Sequence, residues 1–355
     1  MPKPFQHSPC LFLVAGLALT LGAAMRADAQ WVAGTSITDA SFRGMSVVRP
    51  GSVWISGTHG TFAWTDDAGT TWHAGRVSEA GSMDFRAVHA ISADTVLLEV
   101  SGQDTARIYG TTDRGSTWTL RYHDESKGAF LDAMAFFDSR HGLAVGDPVD
   151  GHFVLLETRD GGASWSRATA VTPPALAGEG AFAASGTAMI ACGPRDAWFA
   201  TGGSSVSRVF HTSDAGHSWS VAQTPVHAGS APAGIFSIAC SDARHLIVVG
   251  GNYAKPDATT VTVARSDDAG TTWVASLPSP ATSFLSGVAY VGGTGADRRL
   301  VAVGTEGSAY SLDAGRTWSR LDTLSLNVIM SDVHGAAMAA GAGGRVARLA
   351  GLNPM

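Results

Sequence analysis

Short apolar runs alternate with turns rich in Gly, Asp and Ser along almost the whole chain. Residues 41–72 show the unit. "FRGMSVV" from Phe42 predicts a strand, "RPGS" a turn, "VWISG" from Val53 a second strand and "THG" a loop. "TFAWT" from Thr61 predicts a third strand, and "TDDAGTTW" at Thr65–Trp72 a hairpin into a fourth. Brief runs bounded by Gly and Asp favour strands over helices. Later segments agree: "LAVG" (Leu143–Gly146), "IVVGG" (Ile247–Gly251) and "LVAVG" (Leu300–Gly304) each read as a second strand ending at Gly.

The hairpin octet recurs. After Thr65–Trp72 come "TTDRGSTW" (Thr111–Trp118), "TRDGGASW" (Thr158–Trp165), "TSDAGHSW" (Thr212–Trp219), "SDDAGTTW" (Ser266–Trp273) and "SLDAGRTW" (Ser311–Trp318). The pattern is [ST]-x-D-x-G-x-[ST]-W. Its aspartates, Asp67, Asp113, Asp160, Asp214, Asp268 and Asp313, are spaced by 46, 47, 54, 54 and 45 residues. The octet's chemistry is structural. The Asp side chain accepts backbone N–H groups that follow it and closes the turn. Gly supplies the positive φ that a tight hairpin requires. The tryptophan, Trp72, Trp118, Trp165, Trp219, Trp273 or Trp318, opens the next strand and can bury roughly 200 Å2 against a neighbouring repeat.

Four short antiparallel strands per repeat of roughly 45 residues predict blades of a β-propeller. After the last octet, Asn327–Gly351 supplies three strands and no octet. The missing fourth lies at the other end, "WVAGTSI" at Trp31–Ile37, where Trp31 takes the place of an octet Trp. The expected fold is all-β, a seven-bladed propeller closed by the N-terminal strand. Its blades span about 41–77, 84–123, 129–169, 181–222, 233–276, 283–322 and 326–349 plus 31–37. Closure removes the free edges of an open array, and a monomer is expected.

The chain has 355 residues, 15% of them charged, with 43 Gly and a formal charge of −6. No run of Lys or Arg occurs, which argues against a nucleic-acid partner. Lys3 precedes the apolar run Leu11–Met25, and Ala27-Asp28-Ala29 fits a small-x-small cleavage pattern. Residues 1–29 therefore read as a signal peptide cut before Gln30, and the mature chain is expected in the periplasm or outside the cell. The run is shorter than the roughly 20 residues of a membrane span, and no later segment approaches that length.

The octets resemble the Asp-box, or BNR repeat, of sialidases and many secreted propellers. The wider chain, including "VWISGTHGT", "DFRAVHA", "FLDAMAFFDSRHGLAVGDPVDGHFVLLETRDGG" and "ATGGSSVSRVFHTSD", is similar to bacterial propellers of the photosystem II stability/assembly factor type. That resemblance implies the fold and a non-enzymatic tendency to bind partners.

In such a blade the octet turn shares a face with the turn between strands one and two. The opposite face carries the loops between strands two and three and those between blades, where propeller function usually resides. The first set offers His59, Asp104, Asp147, Asp150, His152, Asn252, Tyr253, Lys255 and Glu306. The long inter-blade loops Val171–Ala181 and Thr224–Gly234 add Glu179. Aligning the innermost strands "SFRG", "DFRA", "FLDA", "IFSI" and "FLSG" superposes Arg43, Arg86, Asp132, Ser237 and Ser286 at the mouth of the central channel. Polar groups there meet water and one another, or a ligand.

Two functions compete. One is a propeller that binds a protein or peptide partner in the envelope through the loop face. The other is a sialidase-like or other glycoside hydrolase acting on a glycan. A glycosidase needs two carboxyl groups, which Asp132, Asp147 and Glu179 can supply. Arg43 and Arg86 can begin a sialidase-type arginine cluster, but the motif expected there is missing, and Tyr310 sits beside an octet. No cofactor is expected, because no dinucleotide fingerprint joins a strand to a helix. No metal site is expected either: His59, His73, His89 and His123 are scattered without ligand spacing and read as surface or turn residues. Cys192 and Cys240 close two "IAC" strands in adjacent blades. They read equally as a disulfide in an oxidising compartment or as two buried small side chains.

Overall fold

The structure is a computed structural model that describes Met1 and residues 29–102, 104–255, 260–276 and 284–352. The expected signal peptide lies outside the described residues except for Met1 and Ala29. Among the described residues there is no α-helix, and no helix long and apolar enough to cross a membrane.

Seven four-stranded antiparallel sheets form the seven blades. In blade 1 the strands are Phe42–Arg49, Ser52–Gly57, Thr61–Thr65 and His73–Arg76, in that order from the axis outward. Blades 2 to 6 repeat the order. Blade 7 takes three strands from the C-terminal end, Val328–Ser331, Ala337–Ala340 and Val346–Ala350, and its outermost from Gln30–Ala33. Gln30 pairs with Ala350 and Ala33 with Ala347. The closing strand is thus shorter than Trp31–Ile37. Beyond Ala33 only single bonds persist, from Gly34 N–H to Val346 O at 2.9 Å and from Ile37 N–H to Gly344 O at 3.2 Å.

The octets fold as their residue types dictate. In the first, Thr71 N–H donates to Asp67 Oδ1 at 2.8 Å and Thr71 Oγ1 to Asp67 Oδ2 at 2.6 Å. Thr65 Oγ1 donates to Asp67 Oδ1 at 2.8 Å and accepts Gly69 N–H at 3.0 Å. The same bonds recur in each later octet, as at Asp113 and Asp313. Two successive residues take left-handed backbone, Ala68 at φ 55° and Gly69 at φ 81°. The Thr71 hydroxyl and amide hold the Asp67 carboxyl down at about 2, and Thr117 does the same for Asp113. The octet also grips the first hairpin of its own blade: Ala68 N–H donates to Gly51 O at 2.9 Å and Ala314 N–H to Arg298 O at 2.8 Å. The octets and the turns between strands one and two therefore share a face.

The core lies between blades rather than within them. Seven apolar clusters each join two neighbouring blades, and each contains the leading Trp of one blade packed on the blade before it. Trp118 of blade 2 lies edge-on to Trp54 of blade 1, with ring centroids 6.5 Å apart, and 5.1 Å from Phe62. Trp219 of blade 4 joins Leu143, Val145 and Phe153 of blade 3. Trp31 lies between blades 6 and 7 and donates its indole N–H to Ser308 Oγ of blade 6 at 2.9 Å. The closing strand thus repeats the octet's anchoring without an octet. His89 is not a surface histidine: it stacks on Phe136 across the junction of blades 2 and 3, centroids 4.2 Å apart, and burial lowers its pKa to about 4.

Truncating a large buried aromatic leaves a cavity its neighbours only partly fill, at a cost of about 3–5 kcal/mol. Trp219→Ala is therefore expected to lower unfolding stability in urea by that amount with an unchanged m-value. Leu120→Ala, on an exposed outer strand, is expected to stay within about 0.5 kcal/mol.

Candidate functional site

On the face away from the octets, the entries of the innermost strands converge on the channel mouth. Arg43 and Arg86 stand on neighbouring inner strands of blades 1 and 2. Arg86 Nη1 donates to Ala183 O at 3.2 Å, and its Nη2 lies 3.4 Å from Asp84 Oδ2. Burial, and then the charge of Arg86, lower the pKa of Arg43, with Asp84 opposing. The Nε atoms of both arginines are buried without a partner.

Beside them are three carboxyls. Asp132, just before the first strand of blade 3, is fully buried, and neither oxygen has a hydrogen-bond partner. Burial first, then the charges of Asp147 and Glu99, raise its pKa, and the Ala183 amide favours its charged form. Burial also raises Asp147, against the Ala181 amide. Glu99, within the second strand of blade 2 (Val96–Gly102), is fully buried and its pKa is pushed up by desolvation. Burial thus disfavours the charged form of all three. Among the described residues no set of His, Cys, Asp or Glu is arranged to hold a metal ion.

Residues 180–187 cover this site. Two prolines, Pro173 and Pro174, precede them, and Gly178 and Gly186 take positive φ. The segment departs from the propeller pattern, so the first strand of blade 4 is only Met189–Ala191. The unit expected from residue 181 thus starts in a crossing segment, not in a strand. Gly180 and Gly202 exchange backbone bonds at 2.9 and 3.1 Å. Phe182 stacks on Phe236 of blade 5, centroids 4.1 Å apart, and Ala184 joins Phe236 and Phe284. Gly186 passes so close to blade 2 that a Cβ there would meet Ala87 Cα at 3.0 Å. A segment that touches blade 2 on one side and Phe284, at the entry of blade 6, on the other must lie across the axis.

The remaining candidates divide. Glu179 anchors the crossing segment: Arg208 Nε donates to its Oε1 at 2.8 Å, Arg208 Nη2 to its Oε2, and Thr201 Oγ1 to Oε1 at 2.6 Å. Both partners are buried, and removing one of such a pair costs about 3–5 kcal/mol. Ser237 and Ser286 do not open onto the mouth. Ser237 Oγ accepts Val288 N–H at 3.1 Å and Ser286 Oγ donates to Asn327 O at 2.7 Å, so each ties its blade to the next. Asn252 is buried and accepts Ala254 N–H at 2.9 Å. Tyr253 is 55% exposed and meets Phe236 and Phe284 edge-on. His59, Asp150 and Glu306 are exposed on separate loops. Asp104 accepts Gly128 N–H at 2.7 Å and His152 bonds Thr172 O at 2.8 Å, each binding a loop to its own blade. A disulfide joins Cys192 to Cys240, Cα atoms 6.5 Å apart, between the inner strands of blades 4 and 5. On the octet face a cavity of about 330 Å3 touches His245, Arg298 and Arg316. Its arginines are already engaged, Arg298 by Asp242 and Arg316 by Asp313 O.

The fold and these hairpins define a seven-bladed Asp-box propeller with a charged, covered channel mouth. The profile of the photosynthesis system II assembly factor YCF48 family matches residues 119–324, more than half the chain, and the protein belongs to that family. Among solved structures, "YCF48 bound to D1 peptide" is 16% identical with a TM-score of 0.57, covering 90% of this chain and 94% of that one. YCF48 from Cyanidioschyzon merolae is 15% identical with a TM-score of 0.63, over 90% and 98%. A streptogramin B lyase reaches the same TM-score, 0.63, at 12% identity over 91% and 98%. At such identities the likeness concerns the fold alone. No curated protein matches the chain.

A carboxyl that binds its proton more tightly when folded adds stability that is complete below the unfolded chain's pKa and lost as pH rises through the folded value. Glu99, Asp132 and Asp147 all shift that way. The protein is expected to lose Tm as pH rises above roughly 4, the ordinary carboxylate value. Glu99→Gln should flatten that slope; a profile parallel to wild type would contradict the assignment.

Proposed function

We propose that the protein is a non-enzymatic binding propeller that docks a peptide segment of a protein partner at the channel mouth, opposite the octets. The observation that carries this reading is how the mouth already treats main chain. Arg86 donates to the backbone carbonyl of Ala183, and Asp147 Oδ1, buried without a hydrogen-bond partner, lies against the Gly180 backbone, 2.7 Å from where a Cβ would stand. These groups suit a polypeptide backbone. Family membership supports the reading, since the family is one of assembly factors and one YCF48 structure carries a D1 peptide.

The lyase with the same fold means that the fold by itself does not decide between binder and enzyme. The site weighs against a hydrolase. Glu179 is bound on both oxygens within a buried ion pair, and Asp132 lies beneath backbone with no exposure. A general acid must reach the leaving oxygen within about 3 Å. The disulfide and the apolar N-terminal run support a place outside the cytoplasm, in the periplasm or beyond the cell, and the closed ring supports a monomer.

The test is a peptide array of envelope proteins probed with the purified propeller. Arg43→Ala and Arg86→Ala should each weaken binding of the captured peptides about tenfold or more, equivalent to roughly 1.4 kcal/mol. Arg316→Ala, on the octet face, should leave it unchanged. Binding indifferent to both mouth arginines, or turnover of an aryl glycoside that disappears in Asp132→Asn, would contradict the reading.

A further inference from the structure

The crossing segment has the geometry of a ligand rather than of a blade. It spans the mouth from blade 2 to blade 6 and turns at Ala183–Ala184, where Ala184 N–H donates to Phe182 O at 2.8 Å. It meets the mouth through main chain, the Phe182 ring and the Ser185 hydroxyl. Its carbonyl at Ala183 takes Arg86. Its backbone at Gly180 lies against Asp147, whose Oδ1 is 2.7 Å from where a Cβ would stand. Phe182 fills a socket of Phe236 with Phe284 at its edge, centroids 4.1 and 4.9 Å from Phe236 respectively, and Tyr253 forms the exposed rim. The other side chains are small: "GAFAASG" over residues 180–186. Both ends have a built pivot. Glu179, held by Arg208, fixes the entrance, and the Thr187 hydroxyl, 2.7 Å from Ser237 Oγ, fixes the exit. Gly180 and Gly186 lie just inside these anchors.

We propose that residues 180–186 are an internal occupant of the peptide site, and that a partner segment of like chemistry takes their place: uncharged, turning at the mouth, with one aromatic residue among small ones. This rests on the binding role proposed above and adds what the site selects and how it is regulated. While the segment is seated, its backbone and Phe182 use the contacts a partner needs. The partner's apparent affinity is then its intrinsic affinity multiplied by the fraction of molecules in which the segment has lifted. The tethered segment competes at an effective concentration in the millimolar range or above, so weak or incorrect peptides fail to enter. Lifting also exposes Asp132 and Asp147 to water beside Glu99, with Arg43, Arg86 and Asp84 the charged groups facing them.

The probe is a synthetic peptide of this chain's own sequence, acetyl-GAFAASG-amide, added to the intact protein. Phe182→Ala empties the aromatic socket and weakens the tethered competitor. The peptide should bind this variant about tenfold or more tighter than wild type, and Phe236→Ala combined with Phe182→Ala should abolish the gain. In wild type, hydrogen exchange at Ala181, Ala183 and Ala184 should occur through local opening, well before the neighbouring strand Ala197–Ala200. Equal peptide binding by wild type and Phe182→Ala, or exchange of those amides only with global unfolding, overturns the proposal. The two proposals fail separately. Array peptides lost on Arg86→Ala but not strengthened by Phe182→Ala would leave the binding role intact and remove the internal competitor. Tight capture of the synthetic peptide with no array binding would do the reverse.

Discussion

Every junction in the ring depends on one contact, the leading tryptophan of a blade seated on the blade before it. A four-stranded blade is too thin to own a core. Its faces become dry only when another sheet covers them. The octet solves this by geometry. Asp67 and its five counterparts clamp the hairpin, the two left-handed residues turn it tightly, and the strand that leaves it begins with the indole already aimed at the neighbour. The same turn is tied to the first hairpin of its blade. The octets are thus committed to holding the wheel together, and the opposite face is free to vary.

That division accounts for the charged mouth. Buried, unpaired carboxyls such as Glu99 and Asp132 are costly in a structure selected for stability alone. They persist where the surrounding ring is rigid enough to hold them and where something else is gained. The crossing segment runs over this corner of the mouth, with its Ala183 carbonyl held by Arg86.

The ring was legible in the sequence because its signal is repeated: six octets in phase, a matching strand order and a stray Trp31 at the far end. That the octets share a face with the turns between strands one and two was legible from connectivity. Individual site residues were less so. Arg43, Arg86 and Asp132 stand out because they align across repeats, Asp147 because it lies in a loop between strands two and three, and the structure brings the four to the mouth. Ser237 and Ser286 align equally well but serve as clasps between blades, since alignment gives the height of a residue and not its bonding. Glu99 escaped notice inside the apolar run "TVLLEV", where a lone acid in a two-sided buried strand was the available sign. Arg208 escaped because its partner Glu179 is 29 residues away in a loop. The crossing segment occupies the place where the repeat spacing puts the start of blade 4. Its low-complexity Ala, Gly and Ser residues carry no periodicity, and its path is set by contacts with four other blades.

The most direct test of the account is whether the wheel behaves as one closed body. Native-state hydrogen exchange should be compared between the wild-type protein and Trp31→Ala, which removes the anchor of the closing strand while leaving all six octets. If the junction contacts close a ring, protection should fall by a similar free energy in blades 6, 7 and 1 together and then around the remainder. If protection falls only in Val328–Ala350 while blade 1 keeps its wild-type values, the blades stand as a linear stack and the account is wrong.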